Sequence, residues 1–324
     1  MNAVLGRGTC GGHLTLLFTV EDSSEDDMFQ GSLGAGICLE DGIEAIARGK
    51  KGDFELTVDF LSGTGNQEMY RQILDLLAEE ISDFKEYTWD IAIKMRLPAS
   101  HGFGMSAAGA ISSSIAFQRA LGLPHEESLR RAYRNAHRIE RINSTGLGDV
   151  TALAYGGVEL RVKPGSPFSG KKLETGPGVA KSWKKSADLV LAWRSNPGRH
   201  TSEYIDNSEW KSLISKAGKT EMEKLTKGEW NYSRWKDLLD SATHFSNNSG
   251  LASDASRARL MEKARKAVST VEFANEVSVM FCMLGESVVI LPNKLDSNLS
   301  LDKLPSELEK QGLESTITKI GNLV

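Results

Sequence analysis

Apolar and polar positions alternate with the period of a strand at several places in the first half of the chain. Trp89, Ile91, Ile93, Met95 and Leu97 fall on one face, and Asp90, Lys94 and Arg96 on the other, as in a half-buried strand. Residues 14–20, 35–39, 43–48 and 54–60 read as further short strands, with turns at Asp41-Gly42 and over 49–53. A helical period takes over at 66–81, where Met69, Ile73, Leu74, Leu77 and Ile81 form one stripe. A second such helix is expected over 126–143, on Leu129, Ala132, Tyr133, Ala136, Ile139 and Ile142. Ser144-Thr-Gly-Leu-Gly-Asp149 stops it, and a short helix follows over 150–155. Val158, Leu160 and Val162 then alternate with Glu159, Arg161 and Lys163, predicting one more strand.

A Pro/Gly-rich passage over 163–178 suggests a boundary between a domain of residues 1–180 and another of 181–324. The second half opens with a strand pattern at 187–193. Helices are expected at 209–225, 233–245, 253–269, 273–283 and 305–311, with strands at 287–291 and 316–320. The class is α+β.

Composition narrows the function. With 324 residues the chain can hold two domains with real cores. A formal net charge of -4 argues against a general nucleic-acid binder. Cys10, Cys38 and Cys282 are widely spaced and form no metal or redox pair, which suits a reducing, cytoplasmic setting. No apolar run reaches membrane-span length, so no membrane partner is expected. The six histidines show no metal-ligand spacing, and no structural zinc is expected.

The strand centred on Ile91 runs into Leu97-Pro-Ala-Ser-His-Gly-Phe-Gly-Met-Ser-Ala-Ala-Gly109, where small residues open a helix. Gly102, Gly104, Ser106, Ala107, Ala108 and Gly109 allow a ligand close to the backbone, beside an exposed His101. Free amides and the positive helix end would face it, an arrangement that suits phosphate. Gly102-x-Gly104-x-x-Ala107 also fits the loose dinucleotide fingerprint, but the segment some twenty residues on opens a helix where that fold needs a strand. No lysine follows the glycines, so this is no Walker A loop. A tight strand-to-helix packing turn remains the plain alternative.

Gly102-Phe-Gly-Met-Ser-Ala-Ala-Gly-Ala-Ile-Ser112 resembles the second motif of the GHMP kinases, whose usual form is Gly-Leu-Gly-Ser-Ser-Ala. Its Phe and Met resemble the archaeal-type pantoate kinase branch. Gly11-Gly-His-Leu-Thr15, Gly31-Ser-Leu-Gly-Ala-Gly36, Gly146-Leu-Gly-Asp-Val150 and the stretch from Gly157 to Gly165 match the same branch in order. Met283-Leu-Gly-Glu-Ser287 resembles a third motif with one glycine in place of a cluster, and Gly11 stands where the first motif usually has proline.

The resemblance implies a ribosomal-S5-like α/β N-terminal domain, a ferredoxin-like C-terminal domain and an active site between them. It implies ATP-dependent phosphorylation of pantoate toward coenzyme A, with Mg²⁺ as cofactor and a possible homodimer. Other GHMP acceptors (mevalonate, shikimate, homoserine) and a non-catalytic nucleotide-binding regulator are the alternatives. Gly102, Gly104, Met105, Ser106, Ala107 and Ala108 would bind ATP, with Ser106 and Glu140 holding Mg²⁺. Asp149, which alone reads equally as a helix N-cap, becomes the catalytic base. Ser32, His137 and Arg161 become substrate contacts, Arg161 as a bidentate carboxylate clamp. Without the resemblance, Glu140 and Arg161 read as solvated charges and His137 as a partly buried histidine. His13 reads as structural.

Overall fold

A computed structural model describes residues 3–195 and 207–321. In chain order the elements are β1 (Val4–Phe18), β2 (Gly34–Lys51), β3 (Leu56–Ser62), α1 (Gln67–Glu80), β4 (Tyr87–Met95), α2 (Met105–Ala120), α3 (His125–Ile142), α4 (Asp149–Tyr155), β5 (Val158–Lys163), β6 (Phe168–Ser169), β7 (Glu174–Thr175) and β8 (Val179–Trp183). The second half holds β9 (Asp188–Trp193), α5 (Ser208–Leu225), α6 (Trp235–Asn248), α7 (Ala255–Thr270), β10 (Val277–Cys282), β11 (Ser287–Pro292), α8 (Leu304–Lys310) and β12 (Glu314–Lys319).

The first sheet has the order β3-β4-β2-β5-β8, with β1 paired along β2; the second has the order β10-β11-β9-β12. Only β3 and β4 pair in parallel in the first sheet, and the second is antiparallel throughout. The helical periods at 66–81 and 126–143 give α1 and α3 within two residues at either end.

Four expectations are corrected. The turn at Asp41-Gly42 does not exist: β2 runs straight through it, with Gly42 opposite Gly11. A Cβ at Gly42 would overlap the Cys10 carbonyl, so the glycine marks a close strand crossing with a bulge at Gly11/His13. The start of β1 shows no hydrophobic alternation because its first two buried positions are Gly6 and Gly8. Gly6 and Gly8 lie directly against the α2 backbone, where a Cβ would overlap the carbonyls of Ala116 and Ser112. Residues 273–283 form no helix; most of that stretch is β10, registered against β11 from Val277 to Cys282. A run apolar on both faces carries no period to separate strand from helix. Finally, β8 crosses the expected 180/181 boundary, because it pairs with β5 and closes the first sheet at Trp183.

One apolar core joins the two halves. The Phe18 and Phe245 rings lie 5.6 Å apart, Trp230 donates to the Val158 carbonyl at 3.1 Å, and Gly321 donates to Cys38 at 2.8 Å. The end of the second sheet is thereby fixed against β2, in the middle of the first.

Candidate active site

The glycine loop is built from left-handed backbone. Ser100, Gly102 and Gly104 have φ of 64°, 81° and 66°, and Gly104 caps α2 with no side-chain hydrogen bond. The first helical bond runs from Ala108 to the Gly104 carbonyl at 3.0 Å, which leaves the Met105, Ser106 and Ala107 amides ahead of it. Phe103, Met105, Ala107 and Ala108 turn their side chains inward, whereas Gly102, Gly104 and Ser106 are partly open. The open surface of the turn is therefore mostly backbone.

Three distant segments fix this loop. His13 donates its amide to Phe103 at 3.0 Å, and Gly104 lies so close to it that a Cβ would sit 3.0 Å from the His13 nitrogen. On the other side, a Cβ at Gly285 would overlap the His101 carbonyl, and Ser287 donates its hydroxyl to that same carbonyl. His101 is buried, not exposed: its ring nitrogens face the carbonyls of Ala99 and Arg194 at 2.7 and 3.0 Å. The single glycine of the third motif is thus the residue that lets β11's entry loop touch the glycine loop.

Beneath the loop lies a chain of charges. Asp149 accepts from Nδ1 of His13 at 2.6 Å and from the Thr15 hydroxyl at 3.4 Å, both on Oδ1. His13 Nε2 faces Glu159 Oε1 at 3.1 Å, and Arg161 donates to that same oxygen. Arg161 Nε donates to the Ser32 hydroxyl at 3.2 Å. Arg161 and Glu159 are fully enclosed, at 1% and 0% exposure, which corrects the reading of Arg161 as a solvated strand charge. Nη2 of Arg161 and Oε2 of Glu159 are buried without a hydrogen-bond partner. The Asp149 side chain alone keeps an opening, at 21% exposure.

Electrostatics follow from this packing. Burial alone would depress the His13 pKa, but its hydrogen bonds to Asp149 and Glu159 and their charges outweigh it and raise it. Burial would likewise raise Asp149, yet the His13 hydrogen bond and the nearby Arg161 charge hold it below the usual carboxylate range. Asp149 is ionised.

Glu140 projects from α3 toward the same place. It receives the Thr145 hydroxyl at 2.7 Å, and the Ser106 hydroxyl at the start of α2 lies near enough to favour its charged form. Burial, helped by the Asp149 charge, pushes its pKa up to about 7. Its Oε2 is buried and unpartnered. The glycines of Gly146-Leu-Gly148 make this approach possible. A Cβ at Gly146 would overlap Glu140 Oε2, and one at Gly148 would overlap the Ser32 hydroxyl.

The structure therefore gathers Ser32, Ser106, Glu140, Asp149 and Arg161 around the glycine loop. It does not bring His137 into these hydrogen bonds. His137 donates Nε2–H to the Asp27 carbonyl at 2.9 Å, and burial lowers its pKa to about 4. It is a neutral pin between α3 and the turn at Asp27–Phe29. His13, read as structural, stands at the centre, with Glu159 and Thr15. Among the described residues no cluster of three or more His, Cys, Asp or Glu could hold a metal, and no helix is long and apolar enough to cross a membrane.

Residues 68–157 match the family model of the GHMP kinases N terminal domain. The chain is similar to a pantoate kinase of Thermococcus kodakarensis, 31% identical over 170 residues, 52% of this chain and 55% of that protein. A pantoate kinase of Methanospirillum hungatei is 31% identical over 160 residues, 48% of this chain and 52% of the relative. The chain thus spans about half the length of the curated relatives it matches. A solved phosphotransferase related to the CoA biosynthesis pathway superposes with a TM-score of 0.75 at 22% identity, covering 98% of this chain and 96% of that one. Mevalonate kinase of L. major, solved with R-mevalonate, gives 0.63 at 15% identity, covering 97% and 95%. Residues 68–157 thus match the N-terminal domain of the GHMP kinases, and the chain as a whole shares the fold of these solved structures.

Proposed function

We propose that this protein transfers the γ-phosphoryl group of ATP to the primary hydroxyl of (R)-pantoate, forming 4-phosphopantoate for coenzyme A synthesis. One observation carries the reading. An ionised, partly open Asp149 stands between a backbone-lined glycine turn and a buried arginine with an unpartnered nitrogen. The turn suits a triphosphate. The arginine suits a carboxylate, because a buried donor left unpaired is costly until a ligand satisfies it. The pantoate kinase relatives agree over the half of their length that aligns.

In this reading the Met105, Ser106 and Ala107 amides hold phosphate oxygens. Arg161 Nη2 binds the pantoate carboxylate, and Ser32 binds a substrate hydroxyl. The acceptor oxygen attacks the γ-phosphorus, the bond to the β–γ bridging oxygen breaks, and ADP departs. The hydroxyl proton passes to Asp149 Oδ2, because Oδ1 is already held by His13 and Thr15.

The residues present also fit Mg²⁺. Glu140 Oε2 is an orphaned buried oxygen beside the Ser106 hydroxyl, the hard donor set this ion takes together with phosphate and water. Mg²⁺ held by Ser106 and Glu140 would neutralise charge on the phosphates. The three free, buried cysteines suit a cytoplasmic protein.

A thermal-shift titration tests the substrate pair. Pantoate and Mg·ATP should each raise Tm, and pantoate should do so more than mevalonate, shikimate or homoserine. Stabilisation by ATP alone, with none of the acids effective, would favour a nucleotide-binding regulator.

A further inference from the structure

Glu159 is the one buried acid in the cluster that no step above uses. It lies mid-strand in β5 with 0% exposure. Its Oε1 receives both His13 Nε2, at 3.1 Å, and Arg161 Nη1. Gly36 of β2 makes room for this contact, since a Cβ there would overlap His13 Nε2 and sit 2.9 Å from Glu159 Oε1. His13 meanwhile faces Asp149 through its other nitrogen at 2.6 Å. Arg161 Nη1 also lies 3.5 Å from His13 Nε2, but the Glu159 oxygen is nearer at 3.1 Å; carboxylates only accept, so a ring held between two of them carries hydrogen on both nitrogens and is an imidazolium. Two cations and two anions are thus interleaved: Asp149, His13, Glu159, Arg161.

We propose that Glu159 is a positioning residue, whose carboxylate clamps the His13 imidazolium and the Arg161 guanidinium together. It thereby couples the orientation of Asp149 to that of the arginine fork. This rests on the pantoate kinase reading for its consequence, though not for its geometry. Removing Glu159 leaves two buried cations facing one carboxylate, so the imidazolium loses the partner that favours its second proton. Asp149 then loses a fixed donor, and Arg161 is free to turn. The other groups around His13 are Thr15 on its own strand and Cys38 on β2, whose thiol burial keeps neutral. Glu140 on α3 lies beyond Asp149.

The test uses full-length protein with ¹⁵N-labelled histidine and no ligand, with the His13 signals assigned by their loss in H13Q. In the wild type both ring nitrogens should be protonated at pH 7.5. In E159Q the His13 titration should move down by at least one pH unit, a tenfold loss of proton affinity. A neutral His13 in the wild type at pH 7.5 overturns the proposal, even if E159Q does not fold. Unchanged His13 signals in E159Q overturn it as well. In kinetics, E159Q should raise KM for pantoate and lower kcat, each about tenfold, with KM for ATP unchanged and partial recovery in E159D. A residue that only stabilises the fold would lower Tm and leave KM and kcat within twofold, which would also refute the proposal. If the wild type does not phosphorylate pantoate at all, the kinase reading falls, and the histidine spectra still decide the role of Glu159.

Discussion

Asp149 Oδ1 stands 2.6 Å from Nδ1 of His13, and the backbone of that same histidine carries the glycine loop through its hydrogen bond to Phe103. One residue therefore fixes both the proposed base and the glycine turn. The N-cap alternative for Asp149 does not survive: Gly148 occupies the cap position of α4 and makes no side-chain hydrogen bond. D149N keeps the shape of the side chain and removes its basicity. It should still fold, with a lower Tm because two buried cations then face one carboxylate, and lose about 10²–10⁴ in kcat. Steady-state kinetics with kcat within about threefold of wild type would refute the base assignment.

Arg161, the proposed carboxylate clamp, has a planar fork with one nitrogen unpaired. R161K keeps the charge but loses the fork and the bond to Ser32. It should raise KM for pantoate about tenfold or more, roughly 1.4 kcal/mol of binding, and leave KM for ATP unchanged. Equal effects on the two substrates would count against the clamp.

Glu140 links stability to pH. Its folded pKa of about 7 lies above the ordinary value of 4.5. Between those values the folded chain holds a proton that the unfolded chain has released, so stability falls as pH rises through that window. Across it the loss from this group is about 3 kcal/mol. E140Q, neutral at every pH, should therefore gain stability relative to the wild type from pH 4.5 to 8 in ligand-free, Mg²⁺-free buffer. Urea unfolding at several pH values checks this, and parallel curves for the two proteins would contradict it.

The contact between the third motif and the glycine loop is backbone on backbone. A methyl at Gly285 would press into the His101 carbonyl and the Gly102 amide, groups that cannot rotate away. G285A should cost about 1–3 kcal/mol in stability and raise KM for ATP more than KM for pantoate. Unchanged nucleotide affinity in a folded G285A would show that the loop does not depend on this support.

The elements most legible in the sequence are those with one apolar face. α1 and α3 carry clean helical stripes, and β4 alternates Trp89, Ile91 and Ile93 inward. Segments covered on both sides lose that signal. Gly6 and Gly8 hide the start of β1 against α2, and β10 reads as a helix because its apolar residues run on without alternation. The site divides in the same way. Ser32, Ser106, Asp149 and Arg161 lie in motifs that a family resemblance can carry, whereas Glu140 lies outside them on α3. Glu159 and Arg161 look like an exposed strand face, because alternation places them opposite Val158 and Leu160. Nothing local in the sequence says that α4 and β1 cover that face with Asp149 and His13. His137 shares a helix face with Glu140, but the turn at Asp27–Phe29 reaches it first.

The most direct test of the central claim is phosphoryl transfer itself. Purified protein with Mg·ATP is offered pantoate, mevalonate, shikimate and homoserine in parallel, and phosphorylated products are read by ³¹P NMR and mass spectrometry. The expected result is 4-phosphopantoate as the dominant product, with stoichiometric ADP, abolished in D149N. No transfer to pantoate, or transfer that persists undiminished in D149N, would contradict it.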